Sequence, residues 1–196
     1  ADLRTRATEL DRYLYNLREQ LAGVLDELRA LGAEFDIPCS AEDLGSGYVD
    51  QTGLPDQVGD LRHAVFDAAL GCDWETLRSL LDENTFSSSF GESGDPIAYW
   101  QRMEFLHYRP MLYLAGMLQR PFGTIEAGDP IIYVWPSALA YGSWADVPAA
   151  EREALRPLYH DPDFVSFEEF GGYLGFRVGI SFDGQTARWI YAIEGD

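Results

Sequence analysis

Leu3, Leu10, Leu17, Val24 and Leu31 recur every seven residues, and Ala7, Leu14, Leu21 and Leu28 fall between them at alternating spacings of four and three. That is the seam of a coiled coil, and it predicts one helical unit over residues 1–34, whose four-heptad ladder is about 45 Å long at roughly 1.5 Å per residue. Arg4, Arg6, Asp11, Arg18, Gln20 and Glu27 flank the seam with charges of both signs, as partner register requires. Tyr13 and Leu25 widen the stripe, so the same helix could lie against a globular body instead. An isolated helix of this length is marginal in water, so a protein partner or a second copy of the chain is expected along it.

Gly32 stops the pattern, and residues 35–55, with Pro38, Gly45, Gly47 and Gly53, read as a linker to a globular domain over 56–196. In that domain Asp60 is placed to cap a helix through Leu61, Val65, Ala68 and Cys72. Beyond Gly71, Asp73 is placed to cap another through Leu77, Leu80 and Leu81. Ser87 to Phe90 reads as a short strand, and Asp95-Pro96 opens a helix carrying Ile97, Trp100 and Phe105. Pro110 opens a further one through Met111, Leu114, Ala115 and Leu118. Ile131 to Trp135 reads as a strand, and 148–159 as a last helix. Leu174, Phe176, Val178, Ile180 and Phe182 alternate with Tyr173, Gly175, Arg177, Gly179 and Ser181, then Asp183-Gly184 turns the chain into a returning strand, Arg188 to Ile193. Pairing Phe182 with Arg188 sets Tyr191 opposite Gly179 and Trp189 opposite Ser181. The fold class is therefore α+β: a coiled-coil-type helix, then helices packed on a small antiparallel sheet.

Composition narrows the function. The chain has 196 residues, 46% apolar and 14% aromatic, ample for a core. Its 14 basic residues are all arginine, which excludes a P-loop lysine, a Schiff-base lysine and a serine–lysine dyad. A net charge of −19 argues against nucleic acid and anionic membrane surfaces as partners. Arginine without lysine, amid abundant Ala, Gly, Asp and Glu, resembles usage in a high-GC bacterium. Apolar runs fall short of the about 18 residues that a membrane span needs. The chain opens at Ala1 directly in heptad phase, so either a signal peptide or membrane anchor precedes it or its start is trimmed. Cys39 and Cys72 could form one bridge or stay as two buried thiols, since their spacing matches no metal or redox motif.

The block Tyr133, Val134, Trp135, Pro136, followed by Tyr173, Arg177, Gly179, Ile180, Asp183, Gly184, Trp189 and the terminal Gly195 and Asp196, resembles a group of uncharacterised secreted or envelope-anchored bacterial proteins. Their common ending differs here by a longer turn, with Gln185 to Arg188 between Gly184 and Trp189. The resemblance implies an extracytoplasmic location in the periplasm or cell envelope and a mixed α and β domain, and no activity. A looser likeness, through the opening helix pair and the closing hairpin, is to the cystatin-like cone fold, which implies a pocket without specifying a reaction.

Candidate chemistry is sparse. Arg177, between Gly175 and Gly179 on its strand face, could receive an anionic group near the backbone, or stack on Tyr191 or Trp189, or pair with a carboxylate. Trp144, in a loop after Gly142 and Ser143, is a candidate exposed contact. Arg177, Tyr191, Trp189 and Trp144 therefore make up the expected ligand-binding set. His160, Asp161, Asp163, Glu168 and Glu169 are metal-capable but fail the calcium-loop pattern, so a solvated surface and no metal or cofactor are expected. His63 and His107 lack zinc spacing, and Ser87, Ser88 and Ser89 lack a nucleophile elbow. The leading expectation is a non-catalytic protein whose helix, through Leu3, Leu10, Leu14, Leu17, Leu21, Val24, Leu28 and Leu31, assembles or positions an acidic binding domain. The alternative is a small-molecule-binding protein or hydrolase with a cone-shaped pocket lined by aromatics, Arg177 and Asp183 or Glu168. A filled space between sheet and helices counts against it, and a cavity of roughly 300 Å³ or more with convergent polar groups would rank it first.

Overall fold

Helices begin where local caps make them begin. The computed structural model describes residues 3–33, 35–44, 47, 49–82, 85–88, 94–126 and 128–194, without the side chains at 3, 4, 7, 8, 11, 26, 29 and 43. The side chains of Leu3, Arg4, Ala7 and Asp11, the expected strand end at Ser89 and Phe90, and the terminal Gly195 and Asp196 thus lie outside the described residues. Asp73 accepts a hydrogen bond from the Thr76 amide at 3.0 Å and starts α3 (Trp74–Leu80). Asp95 accepts from Ile97 at 2.9 Å, with Pro96 as the first residue of α4 (Pro96–Phe105). α2 (Asp56–Leu70) starts behind Pro55, four residues before the expected cap Asp60, because Pro55 already accepts from the amides of Val58 and Gly59 at 3.0 and 2.9 Å.

α1 (Leu3–Ala30) is a continuous helix and α5 (Pro110–Leu118) follows the sequence expectation. The helix expected over 148–159 is cut to α6 (Ala149–Ala154), and a second one, α7 (Asp161–Phe170), occupies what composition suggested was a solvated acidic stretch. The start signal of α7 is local: the Asp163 carboxylate accepts from the His160 amide at 2.8 Å, and Pro162 lies in the first turn. Phe164 and Phe167 give α7 its inner face, packing 5.9 and 5.0 Å from the Trp144 ring.

Four strands, β1 (Gly123–Ile125), β2 (Ile131–Trp135), β3 (Arg177–Phe182) and β4 (Ala187–Ile193), form one antiparallel sheet in chain order. Gly179 opposes Tyr191 as expected, but Trp189 opposes Ile180 rather than Ser181, and Arg188 opposes Ser181 rather than Phe182. The cause is a β-bulge at Gly179/Ile180 that leaves Ile190 as an extra residue on β4. The bulge turns Trp189 onto the face shared by Tyr133, Trp135, Val178, Ile180 and Ala192. There it is fully buried, stacked 5.7 Å from Trp100 and edge-on 4.7 Å from Phe86. α2 and α5 cover this face. On the opposite face the Tyr191 ring lies over Gly179, where a Cβ would collide with it. The outer edge of β4 is occupied by the chain itself, since Ser87 donates to Ile190 at 3.0 Å and accepts from Ala192 at 3.0 Å.

The stretch read as a linker holds a 3₁₀ turn, Ser40–Leu44, with Ala41 buried in the core, and Cys39 is bridged to Cys72 across 33 residues. Of the two fates open to these thiols, the structure shows the disulfide. Next to it, Glu104 is buried and accepts from the Ser40 amide at 2.9 Å, the Ser40 hydroxyl at 2.6 Å and the Met111 amide at 2.7 Å. The Ser40 hydroxyl accepts in turn from Leu112 at 3.0 Å. Two free amides at the start of α5 are thereby satisfied by side chains, one from the preceding helix and one from Ser40, 72 residues earlier. His107 and Arg109, with φ of 61° and 59°, fold the tight corner between α4 and α5 in the left-handed region.

Tyr159 and Tyr173 bracket the backbone before β3. The Tyr159 hydroxyl accepts from the Phe176 amide at 2.6 Å, and the Tyr173 hydroxyl donates to the Phe176 carbonyl at 2.7 Å. Burial pushes both phenols above the ordinary tyrosine value, and pushes Tyr191 up to about 12. In the unfolded chain these groups ionise near about pH 10, so their contribution to stability is complete below that pH and is lost as pH rises through the folded values. The urea midpoint is therefore expected to be flat near neutrality and to fall above about pH 10. Exposed phenols such as Tyr13 and Tyr15 should ionise in the folded protein, leaving a second fraction of the phenolate absorbance that appears only with unfolding. Ionisation of every tyrosine before unfolding would contradict the burial of these rings.

Candidate functional site

The long helix docks through a face other than its leucine ladder. Ala22 and Leu25 are 0% and 2% exposed and pack with Leu106, Met103, Phe105, Tyr108 and Phe35. Arg18 lies 4.5 Å above the Tyr108 ring on the same side. Leu10, Leu14, Leu17, Leu21, Val24, Leu28 and Leu31 lie about a quarter of a turn away at 3.6 residues per turn. They remain open to solvent, from 37% exposed at Leu28 to 83% at Leu31. Intramolecular packing and an available seam therefore coexist on one helix, and Leu25, one of the residues that widened the stripe, is the one that meets the body.

The expected ligand-binding set does not converge. Trp189 is fully buried on the core face of the sheet, whereas Arg177 and Tyr191 belong to the opposite face. Trp144 is 2% exposed, its amide donating to Gly171 at 2.9 Å and its ring enclosed by Phe164, Phe167 and Tyr173. It is a packing residue, because α7, not anticipated from the acidic sequence, closes over it. The room that Gly175 and Gly179 were expected to leave beside Arg177 is filled by the Tyr159 and Tyr173 hydroxyls and by the Tyr191 ring. Asp183 belongs to the hairpin turn, accepting from Gln185 and Thr186 at 3.0 and 2.7 Å. Among the described residues, no three His, Cys, Asp or Glu side chains are grouped to hold a metal ion.

A different site is present. A half-open cleft of about 330 Å³ lies where α1, the α4–α5 corner and the end of the sheet meet. α4 supplies Tyr99, Trp100 and Met103, the corner and α5 supply Tyr108, Pro110 and Tyr113, and the sheet side supplies Ser88, Phe176 and Glu194. α1 adds Glu19 as a second carboxylate. Tyr113 packs against Tyr159 and Phe176, at 5.7 and 6.1 Å, which fixes its ring as a wall. The corner residues are held by the Glu104–Ser40 network described above, whose carboxylate is itself buried and committed to amides.

Electrostatics at the cleft are acidic. Burial raises the Tyr113 phenol, and the charges of Glu194 and Asp163 raise it further against the opposing charge of Arg109. Although Glu194 as a residue stays exposed at the rim, the protein packed about its carboxyl pushes that group upward, helped by Asp163. The aromatic walls and the two carboxylates offer acceptors and π-faces. These residues come from five separate stretches of sequence, and none carried a local signal that would have grouped them.

The disulfide fits an oxidising, extracytoplasmic setting. Among the described residues no helix is long and apolar enough to cross a membrane. No protein-family model, no curated protein and no solved structure matches this chain.

Proposed function

We propose that the chain is a non-catalytic component of the bacterial periplasm or cell envelope, in which α1 joins copies of the protein and so positions their acidic α+β bodies. The observation that supports this most directly is the outward ladder: six apolar side chains in heptad register stay exposed on a helix already anchored by Ala22 and Leu25, and Leu31 continues the register just past its end. The occupant that fits the ladder is the same ladder on a second copy. In a parallel pair the sequence sets Arg6 of one helix opposite the Asp11 position of the other, an opposite-charge pair, while the flank carrying Arg18 and Leu25 is committed to the body of its own chain. The anchored body lies to one side of the seam and leaves it accessible.

Sedimentation velocity across the micromolar range tests the reading. The protein is expected to sediment as a dimer or larger assembly, and Leu14→Glu with Leu21→Glu is expected to yield a monomer with unchanged near-ultraviolet circular dichroism. Because both leucines are exposed, the paired change should alter the stability of the monomeric body by no more than about 0.5 kcal/mol. A strict monomer in the unmodified protein removes the assembly half of the proposal.

The alternative, a small-molecule-binding body, is favoured by a separate observation, the cleft of about 330 Å³ with converging tyrosines and carboxylates. It lies at the rim of the fold rather than within the cone between sheet and helices, which the buried Trp100, Trp135, Trp189 and Phe66 fill. The two readings are compatible, since assembly uses one face of α1 and the cleft another.

A further inference from the structure

We propose that the cleft between α1, the α4–α5 corner and the end of the sheet binds an organic ammonium group through its tyrosine walls and the carboxylates of Glu19 and Glu194. The chemistry follows from what lines it. Tyr99, Tyr108, Tyr113 and Phe176 present aromatic surface, and the two glutamates stand at its rim from opposite ends of the chain. No arginine or histidine lines it among the described residues, in a molecule of net charge −19. An anion would meet carboxylates and phenols, and a neutral apolar ligand would leave the carboxylates facing nothing. A soft organic cation satisfies both sets at once, because ring faces and carboxylates attract positive charge while methylene or methyl groups fill the apolar volume.

The protein already shows this preference in miniature, for Arg18 rests 4.5 Å above the Tyr108 ring at the edge of the same cleft. Arg109 adjoins the site in sequence and its charge partly opposes that of Glu194 at Tyr113. With Arg18 on Tyr108 and Arg109 beside Tyr113, the ammonium position is assigned to the Glu194 and Phe176 end of the cleft. A volume of about 330 Å³ suits a small alkylammonium group, either as a free molecule or as the headgroup of a lipid.

The probe is choline, titrated calorimetrically against the full chain, with 3,3-dimethylbutan-1-ol as its uncharged carbon isostere. Choline is expected to bind saturably, with the isostere at least about tenfold weaker, the difference that one cation–π and carboxylate contact supplies. Glu194→Gln and Glu19→Gln should each weaken choline about threefold to tenfold without lowering the urea midpoint, since Glu19 is exposed and the Glu194 carboxylate is disfavoured by the protein packed about it. Co-sedimentation with phosphatidylcholine vesicles distinguishes the sources: retention on vesicles assigns a lipid headgroup, and choline binding without retention assigns a free molecule. Absence of choline binding, equal binding of the isostere, or glutamine variants that bind unchanged would overturn the proposal. Repeating the titration on the Leu14→Glu/Leu21→Glu protein keeps the result separate from the assembly reading, because those leucines do not line the cleft.

Discussion

Trp189→Ala is expected to lower the free energy of unfolding by about 3–5 kcal/mol, the range for deleting a buried large aromatic. The indole is fully buried, stacks on Trp100 and meets Phe86 edge-on, and its N–H donates to the Tyr191 carbonyl at 3.1 Å. Truncation opens a cavity lined by rings that cannot collapse, since Trp100 is fixed in α4 and Phe86 precedes the Ser87 bridge to β4. Equilibrium urea unfolding measures the loss. Ile190→Ala, at the half-buried bulge residue, provides the comparison and should cost distinctly less. If the two variants lose the same amount, the bulge does not aim Trp189 inward as described.

Breaking the Cys39–Cys72 bridge is expected to cost about 3–4 kcal/mol from the entropy returned to a loop of this size in the unfolded chain. The bridge closes 33 residues and ends beside Ser40, whose amide and hydroxyl hold Glu104 and whose oxygen serves the Leu112 amide. Loosening Cys39 therefore also loosens the start of α5, and with it Tyr108, Pro110 and Tyr113 in the cleft. The paired change Cys39→Ser and Cys72→Ser, compared with the oxidised protein by urea unfolding, should lower the midpoint. It should weaken choline binding more than Glu19→Gln does if Ser40 transmits the effect. An unchanged midpoint would mean that the unfolded chain gains nothing from release.

Local signals carried much of the fold. Asp73, Asp95-Pro96 and Pro110 each act within a few residues of themselves, and each starts a helix where its chemistry places it. Ile131–Trp135 is likewise the strand that its apolar run indicated. What stayed hidden depends on distant partners or on one inserted residue. Alternation alone cannot reveal that Ile190 is extra, and it sets Trp189 against Ser181, one position away from its partner Ile180. The acidic residues from Asp161 onward concealed a helix whose inward residues are only Phe164 and Phe167. Glu104 looks like an ordinary helical surface acid until Ser40, 64 residues earlier, is brought beside it. The leucine ladder was legible as a repeat, but the docking of α1 through Ala22 and Leu25 was not, because two small contacts a quarter turn from the seam leave no periodic trace.

One border of the sheet is taken up by the Ser87 segment, and the other is β1, three residues long. Backbone-to-backbone growth, which can propagate without end, has little to build on at either side. Copies that meet must do so through side chains of finite helices, whose contact is complete once the helices are matched. Concentrated preparations of this protein should accordingly yield discrete particles under the electron microscope and not fibrils.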